Sequence, residues 1–407
     1  MEMNKELLNT LITQYGSPLY VFDVEGFKQN YNKLHSAMAD YYPDYQIAYS
    51  YKTNYTPYIC KLVKNLGGYA EVVSDMEYQV ALQIGYTADH IVYNGPVKGP
   101  MMEQHLLNGG ILNIDNEAES ERVISLALNN PDTHIKVGIR INTDIGANFI
   151  SRFGIDVDDD SMDKVVGNLK KQPNISIVGL HMHVSRARGI EAWKRRIDNI
   201  LSAADKYIDG IPEYIDLGSG MFAEMEEFLR SQFSVPVPNY HDYAKVVAGT
   251  MCEHYKDSEI KPLLMTEPGT TVVSRYLSLI TTVTGLKKVR SRLLAMVDSD
   301  IHNAGETCRM MNVPYTHYHI GNGKDALDHP DIVGYTCLEQ DCLYKSFPQS
   351  VSVGDVIEFR NIGGYSIVYK PPFIQPNCAM VAIEESGEVK LIKRKESFND
   401  IFQTFIF

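Results

Sequence analysis

The sequence predicts an α/β protein that combines a (β/α)8 TIM barrel with a second domain of antiparallel β-structure. From about residue 45 to 270, short apolar runs alternate with amphipathic helical segments, which is the pattern of parallel βαβ units. Eight such runs occur over roughly 225 residues, close to the ~250 residues of a typical barrel. After Thr270 the helical periodicity is lost and strand-like segments follow one another.

Each predicted barrel strand is a short apolar run that precedes a helical segment. In chain order the runs are QIAYSYK, YAEVVS, HIVYNG, ILNIDN, HIKVGIRIN, ISIVGLHMHV, EYIDLGSG and PLLMTEPG. An open doubly wound sheet is the alternative architecture. It would carry a GxGxxG fingerprint after its first strand, and this chain lacks one there.

The segments after the barrel predict an antiparallel β-sandwich or β-barrel domain. They are LSLITTVTGLKKV, LLAMVDSDI, VGDVIEFRNIG, AMVAIEE and EVKLIKRK. Near the start, an amphipathic helix in MEMNKELLNTLITQYG precedes the strand-like SPLYVFD at residues 17–23. The predicted domains are therefore a barrel at 24–272 and a β domain composed of 1–23 and 273–407.

Composition restricts the class of partner. A net charge of −13 argues against binding to nucleic acid or to an anionic membrane surface, so the expected ligand is a small molecule. No apolar run approaches the ~20 residues that span a bilayer. The six cysteines are scattered and form no CxxC pair, which favours a reduced, cytoplasmic protein.

Polar residues at the predicted strand ends indicate a site, because barrel enzymes place their chemistry at the C-terminal ends of the strands. Lys52 ends the first strand, and His181 and His183 end the sixth, on a face opposite to Val178, Leu180 and Met182. Glu267 ends the eighth strand. Gly218, Ser219 and Gly220 follow the seventh, where such barrels frequently bind phosphate through backbone N–H groups.

Each feature taken alone also has a structural explanation. Lys52 could be a solvated rim residue, and the His-x-His pair could simply be hydrogen-bonded, since no convincing third and fourth zinc ligands accompany it. We therefore predict no metal site. The acidic cluster at 156–160 lacks the pattern of a calcium loop and indicates a solvated helix start.

Together these features indicate a pyridoxal 5'-phosphate site. That cofactor needs a lysine for a Schiff base, a cradle for its phosphate and a carboxylate beside its pyridinium nitrogen. Lys52 would hold the cofactor, the turn at 218–220 its phosphate and Glu267 its ring nitrogen.

The chain resembles the fold-type III pyridoxal phosphate decarboxylases, which include the diaminopimelate, ornithine and arginine decarboxylases and share an alanine racemase-like barrel. The similar segments occur in the family's order over nearly the whole chain. They are YSYKTN, AEVVS, GLHMHV, IDLGSGM, TEPGT, GYTCLEQDCL and GGYS.

The resemblance implies roles for individual residues in the barrel. Lys52 would form the Schiff base, His183 would stack on the cofactor ring and Glu267 would pair with the pyridinium nitrogen. The phosphate loop would be Gly218, Ser219 and Gly220, with Gly269 of TEPGT also expected to contact the cofactor.

In the second domain the resemblance makes Cys337 the proton donor after CO2 leaves. Tyr365 would contact phosphate or substrate, and we also expect Asp341 and Arg309 to bind substrate. The cysteine segment of this family enters the neighbouring subunit's site, which implies a homodimer with shared active sites.

Some positions depart from the family pattern. Thr270 stands where the family has a phosphate-binding arginine, and Arg186 could supply the missing positive charge. Glu71 replaces the usual aspartate. Leu338 stands after the cysteine, where ornithine and diaminopimelate enzymes have an acid that reads the far end of the substrate. The cofactor residues are thus retained, and the substrate-reading residues are altered.

We predict pyridoxal phosphate-dependent α-decarboxylation of an amino acid, either diaminopimelate-like or a specialised precursor of a natural product or siderophore. An amino-acid racemase of the same fold is one alternative, although a tyrosine would be expected there in place of Cys337. A non-catalytic regulatory homologue is another, although such a protein would be expected to lose some of Lys52, His183, Glu267 and Cys337.

Overall fold

A computed structural model describes residues 3–321 and 325–407. The chain divides into two compact units. The barrel unit comprises Tyr31–Phe222 and Val235–Thr271, and the β unit comprises Met1–Asn30, Ala223–Ser234 and Val272–Phe407. Residues 223–234, which the sequence places in the barrel domain, thus belong to the β unit.

Strands are numbered in chain order. They are β1 (Leu19–Asp23), β2 (Tyr45–Ser50), β3 (Tyr69–Val72), β4 (Ile91–Tyr93), β5 (Ile111–Ile114), β6 (Ile135–Asn142), β7 (Ile155–Asp156), β8 (Ile175–His181), β9 (Tyr214–Asp216), β10 (Leu263–Thr266), β11 (Leu277–Val289), β12 (Arg292–Val297), β13 (Tyr315–Tyr318), β14 (Asp331–Val333), β15 (Cys342–Tyr344), β16 (Val356–Phe359), β17 (Ala379–Ile383) and β18 (Val389–Lys393).

The α-helices are numbered in the same way. They are α1 (Lys5–Tyr15), α2 (Val24–Ala39), α3 (Pro57–Asn65), α4 (Asp75–Ile84), α5 (Met101–Leu107), α6 (Glu117–Asn129), α7 (Asp160–Lys170), α8 (Ile190–Tyr207), α9 (Glu227–Arg230), α10 (Tyr240–His254), α11 (Thr270–Val273), α12 (Gly305–Met310) and α13 (Phe398–Phe402). Short 3-10 turns occupy Tyr51–Thr53, Ala88–His90, Ser274–Tyr276 and Ile367–Tyr369.

The barrel unit contains a closed parallel sheet. Its strands follow the order β2, β3, β4, β5, β6, β8, β9, β10, and β10 pairs with β2 to close the ring. These are the eight strands that the apolar runs predict, so the predicted barrel is confirmed. The two-residue β7, which pairs with the end of β6, was not predicted.

Side chains from several strands fill the inside of the barrel. Ala48, Val92, Tyr214 and Met265 form a buried cluster. Val178 packs against this cluster. The pairing of β6 with β8 contains a register irregularity between Val137 and Gly138, which interrupts the expected alternation of faces.

Polar residues begin several of the barrel helices. The side chains of Ser74, Asn116 and Asp159 accept hydrogen bonds from the first turns of α4, α6 and α7. Such caps satisfy N–H groups that have no partner within the helix. The acidic cluster at 156–160 therefore includes a helix start, as predicted.

The β unit contains a curled sheet in the order β15-β14-β12-β11-β1-β17-β18, with β16 pairing with β11 and β13. The sheet is mixed rather than purely antiparallel, because β1 pairs with β17 and β12 pairs with β14 in parallel. Leu8 and Leu11 of α1 are buried in the core of this unit with Val21 and Val381.

Within the part of the chain that the structure describes, no helix is both long enough and apolar enough to cross a membrane.

Candidate active site

Lys52 lies in the 3-10 turn that directly follows β2. Its Nζ is 2.5 Å from Oε2 of Glu71, a buried residue of β3. Ser50 Oγ donates to the same oxygen at 2.5 Å, because Ser50 and Glu71 are paired neighbours on the two strands. The ammonium group, whose side chain is 32% exposed, is thus held against a buried carboxylate.

Glu267 follows β10 and is buried in the barrel unit. Its Oε1 accepts a hydrogen bond from Asn94 Nδ2, and its Oε2 lies 3.3 Å from His181 Nε2. Burial alone would raise the pKa of Glu267, but His181 and Lys52 stabilise the anion and bring the pKa below its usual range. Glu267 is therefore a carboxylate.

A chain of hydrogen bonds orients the amide of Asn94. Asn113 Nδ2 donates to Asn94 Oδ1 at 2.9 Å, and Tyr214 OH donates to Asn113 Oδ1 at 2.7 Å. Since its oxygen is occupied, Asn94 turns its NH2 group toward Glu267 and Glu71. The sequence did not predict this series of hydrogen bonds, because single Asn and Tyr residues on strands form no recognisable motif.

His183 follows β8, and its Nδ1 accepts a hydrogen bond from the Ser219 N–H at 3.1 Å. Burial, followed by the positive charges of Lys52 and Arg140, lowers its pKa well below the ordinary histidine value. The ring is therefore a neutral imidazole whose free proton is on Nε2. Such a flat, uncharged ring is suited to stacking on an aromatic cofactor.

The Gly-Ser-Gly turn follows β9 and lies against His183. Gly218 has φ +56° and Gly220 has φ +110°, values that favour glycine. A Cβ at Gly218 would come within 2.5 Å of His183 Cβ. Gly220 would meet only the Val184 carbonyl oxygen, at 3.6 Å, so its backbone is left accessible to a ligand.

Arg196 of α8 supports this turn, although no sequence motif identified it. Its guanidinium is fully buried and donates to the carbonyls of Leu217, Ser219 and Val184 at 2.9 to 3.0 Å. Burial lowers the pKa of Arg196 to about 9. A signal was present: Arg196 occupies the apolar face of α8 that also carries Trp193 and Ile200.

The loop after β10 packs closely on the turn that carries Lys52. A Cβ at Gly269 would lie 1.9 Å from Thr53 Oγ1, so only glycine permits this approach. Arg186, the predicted phosphate contact, is exposed at φ +67° in the turn after His183. Thr270 begins the short helix α11.

The predicted residues outside the barrel all belong to the β unit. Cys337 is exposed. Asp341 is buried, and its oxygens accept hydrogen bonds from the Ile301 N–H at 2.8 Å and from the N–H and hydroxyl of Thr336 at 3.0 and 2.5 Å. These bonds hold Asp341 within the loop of Cys337, and its contact with substrate stays a prediction.

Tyr365 and Arg309 are the other two predicted substrate contacts. Tyr365 is partly buried at φ +57°, and its ring centroid is 5.2 Å from that of Tyr369. Arg309 is an exposed residue of α12 and donates to His302 Nδ1 at 2.5 Å. The barrel unit thus contains Lys52, His183, Glu267 and the glycine turn. The β unit contains Cys337, Asp341, Tyr365 and Arg309.

The grouped residues fit pyridoxal phosphate. An amine, a neutral imidazole and an ionised buried carboxylate lie at strand ends of one barrel, beside a glycine turn where a side chain at Gly218 would be excluded. The donor set matches the cofactor's aldehyde, ring and ring nitrogen.

Comparison with known proteins supports the same cofactor. The family model "Pyridoxal-dependent decarboxylase, pyridoxal binding domain" matches residues 28–274. Diaminopimelate decarboxylase of Methanothermobacter thermautotrophicus is 25% identical over 97% of this chain and 92% of the relative. The L-glutamyl-[BtrI acyl-carrier protein] decarboxylase of Niallia circulans is 24% identical over 99% and 97%, respectively.

A solved structure shows the same fold. Diaminopimelate decarboxylase from M. jannaschii superposes with a TM-score of 0.84 at 24% identity and covers 98% of this chain and 94% of its own. The comparisons confirm the predicted barrel, the pyridoxal phosphate cofactor and amino-acid decarboxylation, and none of these three relatives is a racemase. Since the family model matches more than half of the residues of this chain, the chain belongs to the pyridoxal-dependent decarboxylase family.

Proposed function

We propose that this chain is an amino-acid α-decarboxylase whose cofactor site is formed by Lys52, His183, Glu267 and the turn at 218–220. One observation carries the assignment: an amine paired with a buried carboxylate lies in the same barrel as a second carboxylate held ionised by His181. When bound, pyridoxal phosphate accepts the electron pair that departing CO2 leaves on the substrate's α-carbon.

Lys52 binds the cofactor through its amine. An ammonium group cannot attack a carbonyl carbon, so Lys52 must first lose a proton. Glu71 Oε2, at 2.5 Å from Nζ, is placed to take that proton. Ser50 Oγ donates to the same oxygen and orients it.

Glu267 would hold a proton on the ring nitrogen of the bound cofactor, and the protonated ring would be a better electron acceptor. The hydrogen bond from Asn94 and the contact with His181 fix the orientation of the carboxylate. His183 would stack on one face of the ring. The phosphate would bind at Gly218, Ser219 and Gly220 together with Gly269, and Arg186 would supply the positive charge that Thr270 cannot provide.

Cys337 returns a proton to the α-carbon from the loop that Asp341 orders. Tyr365 and Arg309 contact the substrate. The protein acts as a homodimer with shared sites, as the family resemblance implies. A cytoplasmic location is supported by the six cysteines, all of which are free thiols.

The substrate is an amino acid whose far end is not read by an acid next to Cys337. Leu338, which occupies that position, is partly buried and cannot pair with a distal ammonium. This favours a specialised amino acid over diaminopimelate, although most of the named relatives are diaminopimelate decarboxylases. The glutamyl-carrier decarboxylase shows that similar chains are named for other substrates.

Absorbance and CO2 release test the proposal. Purified protein should carry a yellow, borohydride-sensitive band that is absent from Lys52→Ala. CO2 should then be measured with meso-diaminopimelate, ornithine, lysine, arginine, glutamate and a glutamyl thioester. A protein that stays colourless with added cofactor and releases no CO2 would overturn the proposed function and favour the regulatory alternative.

A further inference from the structure

Asp216, the last residue of β9, is a fully buried carboxyl group that the proposed function does not use. Its Oδ1 accepts a hydrogen bond from the Gly218 N–H at 2.9 Å. Its Oδ2 has no hydrogen-bond partner among the described residues. A buried acceptor without a donor is unfavourable, so the protonation state of Asp216 needs an explanation.

Backbone pairing brings Asp216 next to Glu267. Asp216 pairs with His181 on β8 and with Met265 on β10, and the Glu267 N–H donates to the Gly218 carbonyl at 2.9 Å. A ring nitrogen of His181, a carboxylate oxygen of Asp216 and a carboxylate oxygen of Glu267 therefore lie within 4.8 Å of one another. The strands fix this arrangement, because the adjacent strands β8, β9 and β10 are hydrogen-bonded where these residues lie.

Two buried carboxylates at this separation cannot both be ionised without strong repulsion, and such pairs share one proton. Glu267 has Asn94 and His181 as donors, whereas Asp216 Oδ2 has none among the residues described. The proton therefore resides on Asp216. Protonation also explains why Asp216 Oδ2 accepts no hydrogen bond within the described part of the chain, because a protonated Oδ2 is a donor, and Glu267 is the neighbouring anion.

We propose that Asp216 is a neutral carboxylic acid that donates a hydrogen bond to Glu267 and acts as a positioning residue for it. The inference rests on the proposed role of Glu267 at the cofactor ring. In that role Asp216 lets two acids occupy one buried site while only Glu267, the one beside the ring, is negatively charged.

The electrostatic surroundings agree with this assignment. Burial, then the charge of Glu267, raises the pKa of Asp216 well above the ordinary aspartate value, and Glu71 adds to the shift. The Gly218 N–H acts in the opposite direction. The positive charge of Arg140 lies near Glu267 and is paired with Asp115, with Nη1 3.3 Å from Oδ2.

Infrared spectroscopy of the cofactor-free protein at pH 8 tests the protonation state directly. Carboxyl-13C aspartate should shift one protonated C=O band, and Asp216→Asn should abolish that band. Any protonated glutamic acid keeps its frequency under this labelling, so the shifted band belongs to an aspartic acid. If no aspartic acid band is present, or if a bound divalent metal is found instead, the inference is wrong.

Cofactor affinity provides a second readout. Asn at position 216 keeps an acceptor for the Gly218 N–H and an N–H donor for Glu267, so Asp216→Asn should bind pyridoxal phosphate within about threefold of the parent. Asp216→Ala removes both groups and should weaken binding at least tenfold. Equal losses in the two variants would overturn the neutral-donor role. Failure to release CO2 despite an intact infrared band would refute only the proposed function.

Discussion

Arg196 donates a hydrogen bond to the carbonyl of Ser219 at 3.0 Å and thereby anchors the proposed phosphate turn. The same guanidinium also reaches the carbonyl of Val184, at 3.0 Å. One buried side chain thus joins the segments that follow β8 and β9. Backbone N–H groups can cradle an anion only if their loop is fixed, so this support has consequences for cofactor binding.

We expect Arg196→Lys to weaken pyridoxal phosphate binding at least tenfold and to destabilise the protein by about 3 kcal/mol, because a single ammonium cannot satisfy several buried carbonyls. Urea unfolding and a cofactor titration measure the two effects. Arg195→Lys, at the neighbouring exposed position, is the matched control. Wild-type affinity in Arg196→Lys would contradict the anchoring role.

Glu71→Gln should slow incorporation of the cofactor at least tenfold, since the amide cannot take the proton that Lys52 must lose. Stopped-flow absorbance after mixing apo-protein with pyridoxal phosphate measures this rate. Ser50→Ala serves as the control, because it removes a donor to Glu71 and leaves the ion pair with Lys52 in place. Similar rates in Glu71→Gln and Ser50→Ala would argue against proton transfer to Glu71.

Gly218→Ala should lose most of its affinity for the cofactor. The added methyl group would lie 2.5 Å from His183 Cβ, and the positive φ adds about 1 kcal/mol of backbone strain. Gly67→Ala isolates the strain, since Gly67 has φ +84° and a methyl group there would meet no atom within 4 Å. Calorimetric titration should show weakened binding in Gly218→Ala alone.

The stability of the protein should fall as pH rises through the range in which Glu77 titrates. Burial raises the pKa of Glu77 to about 7, although the hydrogen bond from the Val73 N–H opposes the shift. Between the unfolded value of about 4.5 and the folded value, the native state binds more protons, so its stability decreases with pH. Relative to the parent, Glu77→Gln should gain about 3 kcal/mol between pH 4 and pH 8, measured by urea unfolding. A pH-independent difference would show that Glu77 does not titrate in this range.

Cys337→Ser should lower kcat by about 10² to 10⁴, the range for loss of a positioned proton donor, and leave cofactor affinity unchanged. Cys342→Ser, which alters a partly buried cysteine five residues away, should retain activity. Turnover and a cofactor titration on both variants separate the two effects. Equal turnover would remove Cys337 from the mechanism.

The parts of the fold predicted from sequence are those encoded by local periodicity. Eight apolar runs followed by helices indicated the barrel, and the spacing of Lys52, His183 and Glu267 at strand ends indicated the cofactor. The parallel pairing of β1 with β17 could not be predicted from the sequence, because it joins distant segments through backbone hydrogen bonds that leave no local sequence pattern.

Buried polar residues were the main omission in the site. Arg196 and Asp216 look ordinary in the sequence, as part of a charged helix and as a residue before a glycine turn. Their roles depend on burial and on which groups from other strands face them. Asp341 is a related case, because its motif predicts a substrate contact but carries no signal of the hydrogen bonds that it accepts from Ile301 and Thr336.

The position of β1 has a consequence for biosynthesis. Tyr20 pairs with Leu279 on one side and Met380 on the other, so an early segment of the chain is an interior strand of a sheet completed by late ones. The hydrogen-bonding groups on one edge of β1 therefore remain unpaired until β17 has left the ribosome. The barrel strands are all synthesised before β17, so β1 must be kept from mispairing while translation continues.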